Sequence, residues 1–323
     1  MQRKWKDILA ALVLGLVCPA MLFSFNRQEN EPQNEPTVAS TQATEAVTQP
    51  KEIKIKVLMK DAGVTEMKMD EYITCVVLRE MPAEFETEAL KAQAVVARTY
   101  AMRRYEGQSK HDNASVCSDP SCCQGFYSQE EFLENGGDQQ LLEKVEQAVW
   151  ATSNQVLLYN GELIDATYFS CSGGITEDAK AVWGAEIPYL KSVESPGEEK
   201  ANHYVDTVSF SASEFESLLG TDMSGAPAEW VERITYTDGG GVDTMRLCGV
   251  DFKGTQLRQL LGLRSTAFML TVVGDTVTIT TKGFGHRVGM SQYGADAMAV
   301  QGSSYKEILA HYYQDVELVT YSE

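Results

Sequence analysis

An uncharged apolar run from Ile8 to Phe25 follows three basic residues, Arg3, Lys4 and Lys6. Such a run is just long enough to cross a bilayer as a helix. The basic flank predicts a cytoplasmic tail (1–7), a transmembrane anchor (8–25) and everything later on the outer side, that is, a single-pass cell-membrane protein. A signal peptide has a similar layout, but no small-x-small cleavage site is present and Val17 before Cys18 fits a lipoprotein site poorly, so an uncleaved anchor is expected. Residues 26–51 are polar, rich in Pro, Gln, Glu and Thr, and cannot bury enough apolar surface to offset ordering entropy. They read as a disordered tether.

The expected folded part is then 52–323, long enough for a sizeable core. The chain carries a formal net charge of −19, which argues against nucleic acid as a partner because no basic face is left to release counterions.

Helical and strand patterns mix along this part, which predicts an α+β fold. Ile53–Met59 alternates as a strand. In MDEYITCVVLREMP, Asp70 is a candidate N-cap and Pro82 a stop. Ile73, Val77 and Glu80 share one helical face, so Glu80 is a carboxylate on an apolar stripe in a helix's last turn. Desolvation and the negative end of the helix dipole both favour its protonated form. The spacing predicts a second, Ala-rich helix over Thr87–Tyr105. Arg98 lies inside it and needs an anionic partner; Glu80 is the nearest candidate in chain order.

HDNASVCSDPSCCQGF (111–126) sets His111, Cys117 and Cys123 six residues apart, with Cys122 beside the last. The residue types suit zinc, yet the spacing equally allows a disulfide or free thiols. Further on, a strand carries Tyr168 into Ser172-Gly173-Gly174, where glycines would let a ligand approach the backbone. The G-x-S-x-G elbow of a serine hydrolase is absent. Residues 205–264 read as an inserted smaller α/β lobe, with a hairpin turn at Gly239–Gly241. Near the end a glycine-rich loop holds His286, and Ser291 is placed to N-cap the next helix. The glycine spacing there fits neither a phosphate loop nor a dinucleotide fingerprint.

Four stretches, LREMPAEFETEALKAQAVVARTY, YFSCSGGITED, VWGAEIPYLKSV and GFGHRVGMSQYGADAMA, together resemble the stage II sporulation protein D family over about residues 52–321. The resemblance implies a peptidoglycan lytic transglycosylase of sporulation engulfment. Such an enzyme cleaves MurNAc–GlcNAc bonds, prefers strands lacking stem peptides and leaves 1,6-anhydro ends. It also implies a helical catalytic core with a glycine-rich groove, and two partners: a membrane-anchored amidase/endopeptidase of the stage II sporulation protein P type and a multi-spanning protein of the M type. Carried over by motif, Glu80 is the catalytic acid, with Arg98 and Tyr168 beside it. Ser172, Gly173, Gly174, His286, Ser291, Gln292 and Tyr293 are implied substrate contacts. Arg287 stands where the family usually has glycine, which weakens any need for positive φ there and offers a contact to a lactyl or peptide carboxylate. Zinc at His111, Cys117 and Cys123 is implied as well, with Glu80 or water as fourth ligand and Cys122 as alternative to Cys123.

Ordinary glycosidases use two carboxylates, and only Glu80 is well placed. A single acid suffices if the sugar's own C6 hydroxyl is the nucleophile, with Arg98 orienting Glu80. A hydrolytic muramidase would need a second acid, for which Glu177 and Asp178 are candidates. A non-enzymatic glycan-binding scaffold is the reading from another class. A zinc amidase would need two suitably spaced histidines and a carboxylate, which the four histidines do not provide.

Overall fold

Lys54–Met59 and Gly63–Lys68 pair antiparallel, and the inward residues Ile55 and Val57 are fully buried. The computed structural model describes residues 52–322. The expected anchor and tether lie outside the described residues. Among the described residues no helix is long and apolar enough to cross a membrane.

The chain turns directly from this hairpin into a helix over Met69–Glu80, which is blocked beyond Met81 by Pro82. The helix begins one residue before Asp70, so Asp70 sits in its first turn rather than capping it; Glu71 accepts instead from the Lys68 amide at 3.3 Å. The Ala-rich pattern gives a helix over Thr87–Arg103, followed by a wide turn at Arg104–Gln108 that passes through Gly107 at φ 110°. Small residues let this helix be buried almost all round: Ala89, Ala92, Ala94, Ala97 and Ala101 are all at 0% exposure. Around it pack helices at Met69–Glu80, Gln139–Trp150, Gln292–Val300 and Tyr305–Tyr312. Gln155–Tyr159, between Glu317–Thr320 and Glu162–Leu163, closes one side as an antiparallel sheet. This is the first core.

A second core gathers Phe215, Trp230, Leu247, Phe252, Val277 and Ile279. Two three-stranded antiparallel sheets and two short helices build it. The smaller lobe thus extends past residue 264, because the Phe268–Val273 and Thr276–Lys282 hairpin pairs with Val205–Ser211. Mixed helix and strand fit the expected α+β class. The Thr276–Lys282 strand leads straight into the loop holding Phe284 and His286, and Met290–Ser291 pairs parallel with Tyr168–Phe169. These connections bring three distant motifs to one cleft.

Candidate active site

Glu80 ends its helix at the wall of a cleft of about 480 Å³. Tyr100, Cys123, Gln124, Tyr168, Phe169, Phe284, His286 and Gln292 share that wall, and Glu80 is the sole carboxylate among the described lining residues. Burial raises its pKa above the ordinary carboxylate value; the Gly125 amide, the Tyr168 hydroxyl and the charge of Arg79 act against that rise. Gly125 N donates to Glu80 Oε1 at 2.5 Å. A side chain at Gly125 would put its Cβ 2.5 Å from Arg79 Cγ and 2.8 Å from Glu80 Oε1, so only glycine permits this approach. Gln124 is 2% exposed. Its oxygen accepts from Tyr72 Oη at 3.3 Å, and its amide donates to Tyr168 Oη at 3.2 Å. Burial, followed by the Glu80 charge, pushes the Tyr168 phenol well up. Tyr168 therefore keeps its proton and can donate it in a hydrogen bond to Glu80.

Of the expected site residues, the structure brings Glu80, Tyr168, His286 and Gln292 together in the cleft. Arg98 is elsewhere. Its guanidinium pairs with Asp70 at 2.9 Å and donates to the Thr152 and Val149 carbonyls. Asp70 and Glu80 lie at opposite ends of one helix, about 15 Å apart by helical rise, so Arg98 does not orient Glu80. Burial lowers the Arg98 pKa and Asp70 opposes that.

Ser172 and Ser291 are both fully buried and face Glu198 rather than the cleft. Glu198 accepts from the Ser172 amide and hydroxyl, the Gly173 amide, and the Ser195 and Ser291 hydroxyls. Ser291 also N-caps its helix, accepting from Gly294 N. At Gly173 (φ 83°) a Cβ would meet the Lys282 backbone at 3.0 Å. The glycine there admits a neighbouring strand, not a ligand; Gly174 follows at φ 114°. Tyr293 packs edge-on to Phe85 at 4.9 Å. Burial, then the nearby Arg258 charge, pushes the His286 imidazole down to about 4. Its Nδ1 accepts from Val288 N at 3.1 Å. His286 is thus uncharged near neutral pH in the cleft wall.

Arg287 is 1% exposed and cannot reach a substrate carboxylate. It pairs with buried Glu177 at 3.2 Å and donates to the Ser172, Ile175 and Gly239 carbonyls. It does adopt positive φ, 67°, in place of the usual glycine. Glu177 also accepts from Thr237 Oγ1 and Gly241 N, so the pair ties the hairpin turn of the second core to the loop behind the cleft. Asp178 caps the Ala179–Trp183 helix and pairs with Lys191. Neither residue is a second acid in the cleft. Sequence reasoning missed Glu198, Gln124 and Gly125. Gln124 and Gly125 directly follow the Cys122-Cys123 pair, a usable signal; Glu198 sits in a loop with no periodicity to mark it.

His111, Cys117, Cys122 and Cys123 converge, with their ligand atoms all within 4.8 Å of one another. Cys117 is set by parallel pairing of Val116–Cys117 with Val57–Leu58. His111 Nε2 is 3.5 Å from Cys123 Sγ and 3.8 Å from Cys122 Sγ, and the two sulfurs are 4.0 Å apart. Tetrahedral zinc, with Zn–S about 2.3 Å and Zn–N about 2.0 Å, separates its ligand atoms by roughly 3.5–3.8 Å. The donor set fits. The three sulfurs are unbonded in the structure. Cys122 and Cys123 both lie in the cluster, so it offers four candidate donor atoms without Glu80.

A family model described as stage II sporulation protein matches residues 60–159. The chain is 40% identical over 288 residues to stage II sporulation protein D of Bacillus amyloliquefaciens, covering 87% of this chain and 83% of that protein. It is 38% identical over 325 residues to stage II sporulation protein D of Bacillus subtilis (strain 168), covering 97% and 94%. The amidase enhancer of Bacillus subtilis (strain 168) is 29% identical over 300 residues, covering 76% of this chain and 40% of that protein.

Proposed function

This chain belongs to the stage II sporulation protein D family and has a role in sporulation; from that premise we propose that it is a peptidoglycan lytic transglycosylase. The observation carrying this reading is Glu80, one raised carboxyl group alone among the described residues of its cleft. Protonated Glu80 donates to the glycosidic oxygen as the C1–O bond breaks and oxocarbenium character grows at C1. The carboxylate left behind then takes the proton of the C6 hydroxyl as that oxygen bonds to C1. The product is a 1,6-anhydro end, and Glu80 is protonated again. The Gly125 amide and the Tyr168 hydroxyl steady the carboxylate between the two transfers. A conventional hydrolase needs a second carboxylate across the bond, and Glu177 is instead buried against Arg287.

His111, Cys117, Cys122 and Cys123 would hold zinc, which with four protein ligands acts structurally. Loop 117–127 then supports Gln124 and Gly125 against Glu80. We place the catalytic part outside the membrane behind an anchor at 8–25, acting on peptide-stripped glycan strands. The P-type amidase/endopeptidase and the M-type membrane protein are the proposed partners.

A scaffold that binds glycan without cutting it is the second reading, favoured by the likeness to a protein named for enhancing an amidase. Mass spectrometry of stripped glycan strands decides. Anhydro-ended fragments from wild type and none from Glu80→Gln are expected. Reducing ends carrying solvent oxygen would make it a muramidase, and binding without turnover a scaffold.

A further inference from the structure

Glu198 is buried at 1% exposure, and five uncharged donors fill its two oxygens. Its Oε2 accepts from Ser172 N at 2.7 Å, Ser172 Oγ at 2.8 Å and Gly173 N at 2.9 Å. Its Oε1 accepts from Ser195 Oγ at 2.6 Å and Ser291 Oγ at 2.5 Å. Two of these hydroxyls also accept, Ser172 Oγ from Gly174 N and Ser291 Oγ from Gly294 N, which fixes their direction. Tyr312 Oη lies 2.6 Å from Ser195 Oγ; with the serine proton committed to Glu198, Tyr312 is the donor. A Cβ at Gly294 would clash with Tyr312 Oη and Ser195 Oγ and stand 2.9 Å from Glu198 Oε1. The helix that Ser291 caps can therefore close on the carboxylate only with glycine there.

Ser291 lies in one of the two short strands of the cleft wall, and Ser172 just beyond the other. Tyr168–Phe169 and Met290–Ser291 pair in parallel, Met290 opposite Tyr168 and Ser291 opposite Phe169. Tyr168, Phe169 and Ser170 line the cleft from one strand, and Gln292 lines it from the residue after the other. A two-residue ladder is too short to hold its own register. Backbone bonds from Met290 N to the Thr167 carbonyl and from Tyr293 N to the Ser170 carbonyl flank it, both at 3.1 Å. Glu198 fastens the same two segments from behind. Replacing buried charged groups by apolar ones of similar volume is often neutral or stabilising. Cohesion alone therefore does not call for a carboxylate here, whereas holding one register does.

We propose that Glu198 is a positioning residue for the reaction: by clamping Ser172 to Ser291 it sets the register of the two strands, and with it the placement of Tyr168 and Gln292 in the cleft of Glu80. This inference rests on that cleft being the catalytic one. Glu198 itself lies behind the wall, outside the cleft lining, and acts only through the strands. Glu198→Gln keeps the shape of the side chain but turns one of its oxygens into a donor that faces donors. Ser195 shares the carboxylate but lies in neither strand, so its hydroxyl adds cohesion without setting the register.

The test uses the full-length chain and peptide-stripped glycan strands. In folded Glu198→Gln, kcat should fall by about a hundredfold, as a displacement of about 1 Å at a reacting site can cost. Ser291→Ala should lower kcat as well, and Ser291→Thr should restore most of it. Ser195→Ala should melt earlier, while each folded molecule turns over at the wild-type rate. Hydrogen exchange gives a readout that needs no turnover. In Glu198→Gln the Met290 and Tyr293 amides should exchange at least about tenfold faster, with the Thr87–Arg103 helix unchanged. Wild-type kcat in folded Glu198→Gln overturns the positioning role, and so does a loss of kcat in Ser195→Ala as deep as in Ser291→Ala. Unchanged exchange at Met290 and Tyr293 overturns it too. If wild type releases no anhydro product, the lytic reading falls and the exchange result alone decides on Glu198. Where Glu198→Gln does not fold, the three serine variants carry the same comparison.

Discussion

Arg98 donates to Asp70 Oδ1 at 2.9 Å, at the end of the Met69–Glu80 helix remote from Glu80. The pair also engages Ser153 through Asp70 and the carbonyls that end the Gln139–Trp150 helix and the turn beyond it. It joins three segments of the first core. Every bond it makes holds segments of the fold together, and none reaches the cleft of Glu80.

Arg98→Ala should therefore destabilise the fold by about 3–5 kcal/mol, the usual cost of stranding one partner of a buried pair. Turnover per folded molecule, measured at low temperature, should stay close to wild type. Denaturant melts alongside activity separate the two effects. A stable but inactive Arg98→Ala protein would return the arginine to the chemistry.

Glu80 carries a stability penalty that depends on pH. Its folded pKa is raised, chiefly by burial. Between the unfolded and folded values the native state binds more protons than the unfolded one, so stability falls as pH rises. Glu80→Gln removes that slope. The variant should match wild type below pH 4 and gain a higher melting temperature as pH climbs to 7, while losing activity. A constant difference across that range would show the carboxyl to be unperturbed.

His286 has the opposite sign. Its folded pKa of about 4 lies below the ordinary 6.5, so the native state binds fewer protons and stability falls as pH drops from 6.5 towards 4. The loss should approach 3 kcal/mol, on the order expected for such a displacement, and should vanish in His286→Gln. Proton NMR of the ring should find its midpoint near 4. A midpoint near 6.5 would show that the ring is not desolvated in the cleft wall.

Local periodicity made much of this legible. The apolar stripe ending at Glu80 was readable because burial on a helix follows 3.6-residue spacing, and Ser291 because N-cap chemistry is local. Pairings set by long-range packing were not. Asp70 took Arg98 because the antiparallel helix pair brings its first turn, not its last, to the middle of the next helix. Ser172 read as a groove residue because exposure and burial look alike in a serine- and glycine-rich loop; the buried Glu198 that claims it lies 26 residues away.

The His/Cys cluster carries the last prediction. Cys122 and Cys123 are followed at once by Gln124, bonded to Tyr72 and Tyr168, and by Gly125, bonded to Glu80. A metal closing this loop would hold those two contacts in place. The purified protein should carry about one zinc per chain, measured by elemental mass spectrometry. Cys122→Ser should weaken zinc binding as much as Cys117→Ser, by at least about a hundredfold, since even outer-shell changes cost ten- to a hundredfold. Chelation should lower the thermal midpoint and slow glycan cleavage without abolishing binding, because Phe169, Phe284 and His286 across the cleft stay in place. Zinc retained undiminished in Cys122→Ser, but lost in Cys117→Ser, would mean a three-residue site with its fourth position open, and the metal would then belong to the chemistry of the cleft rather than to its support.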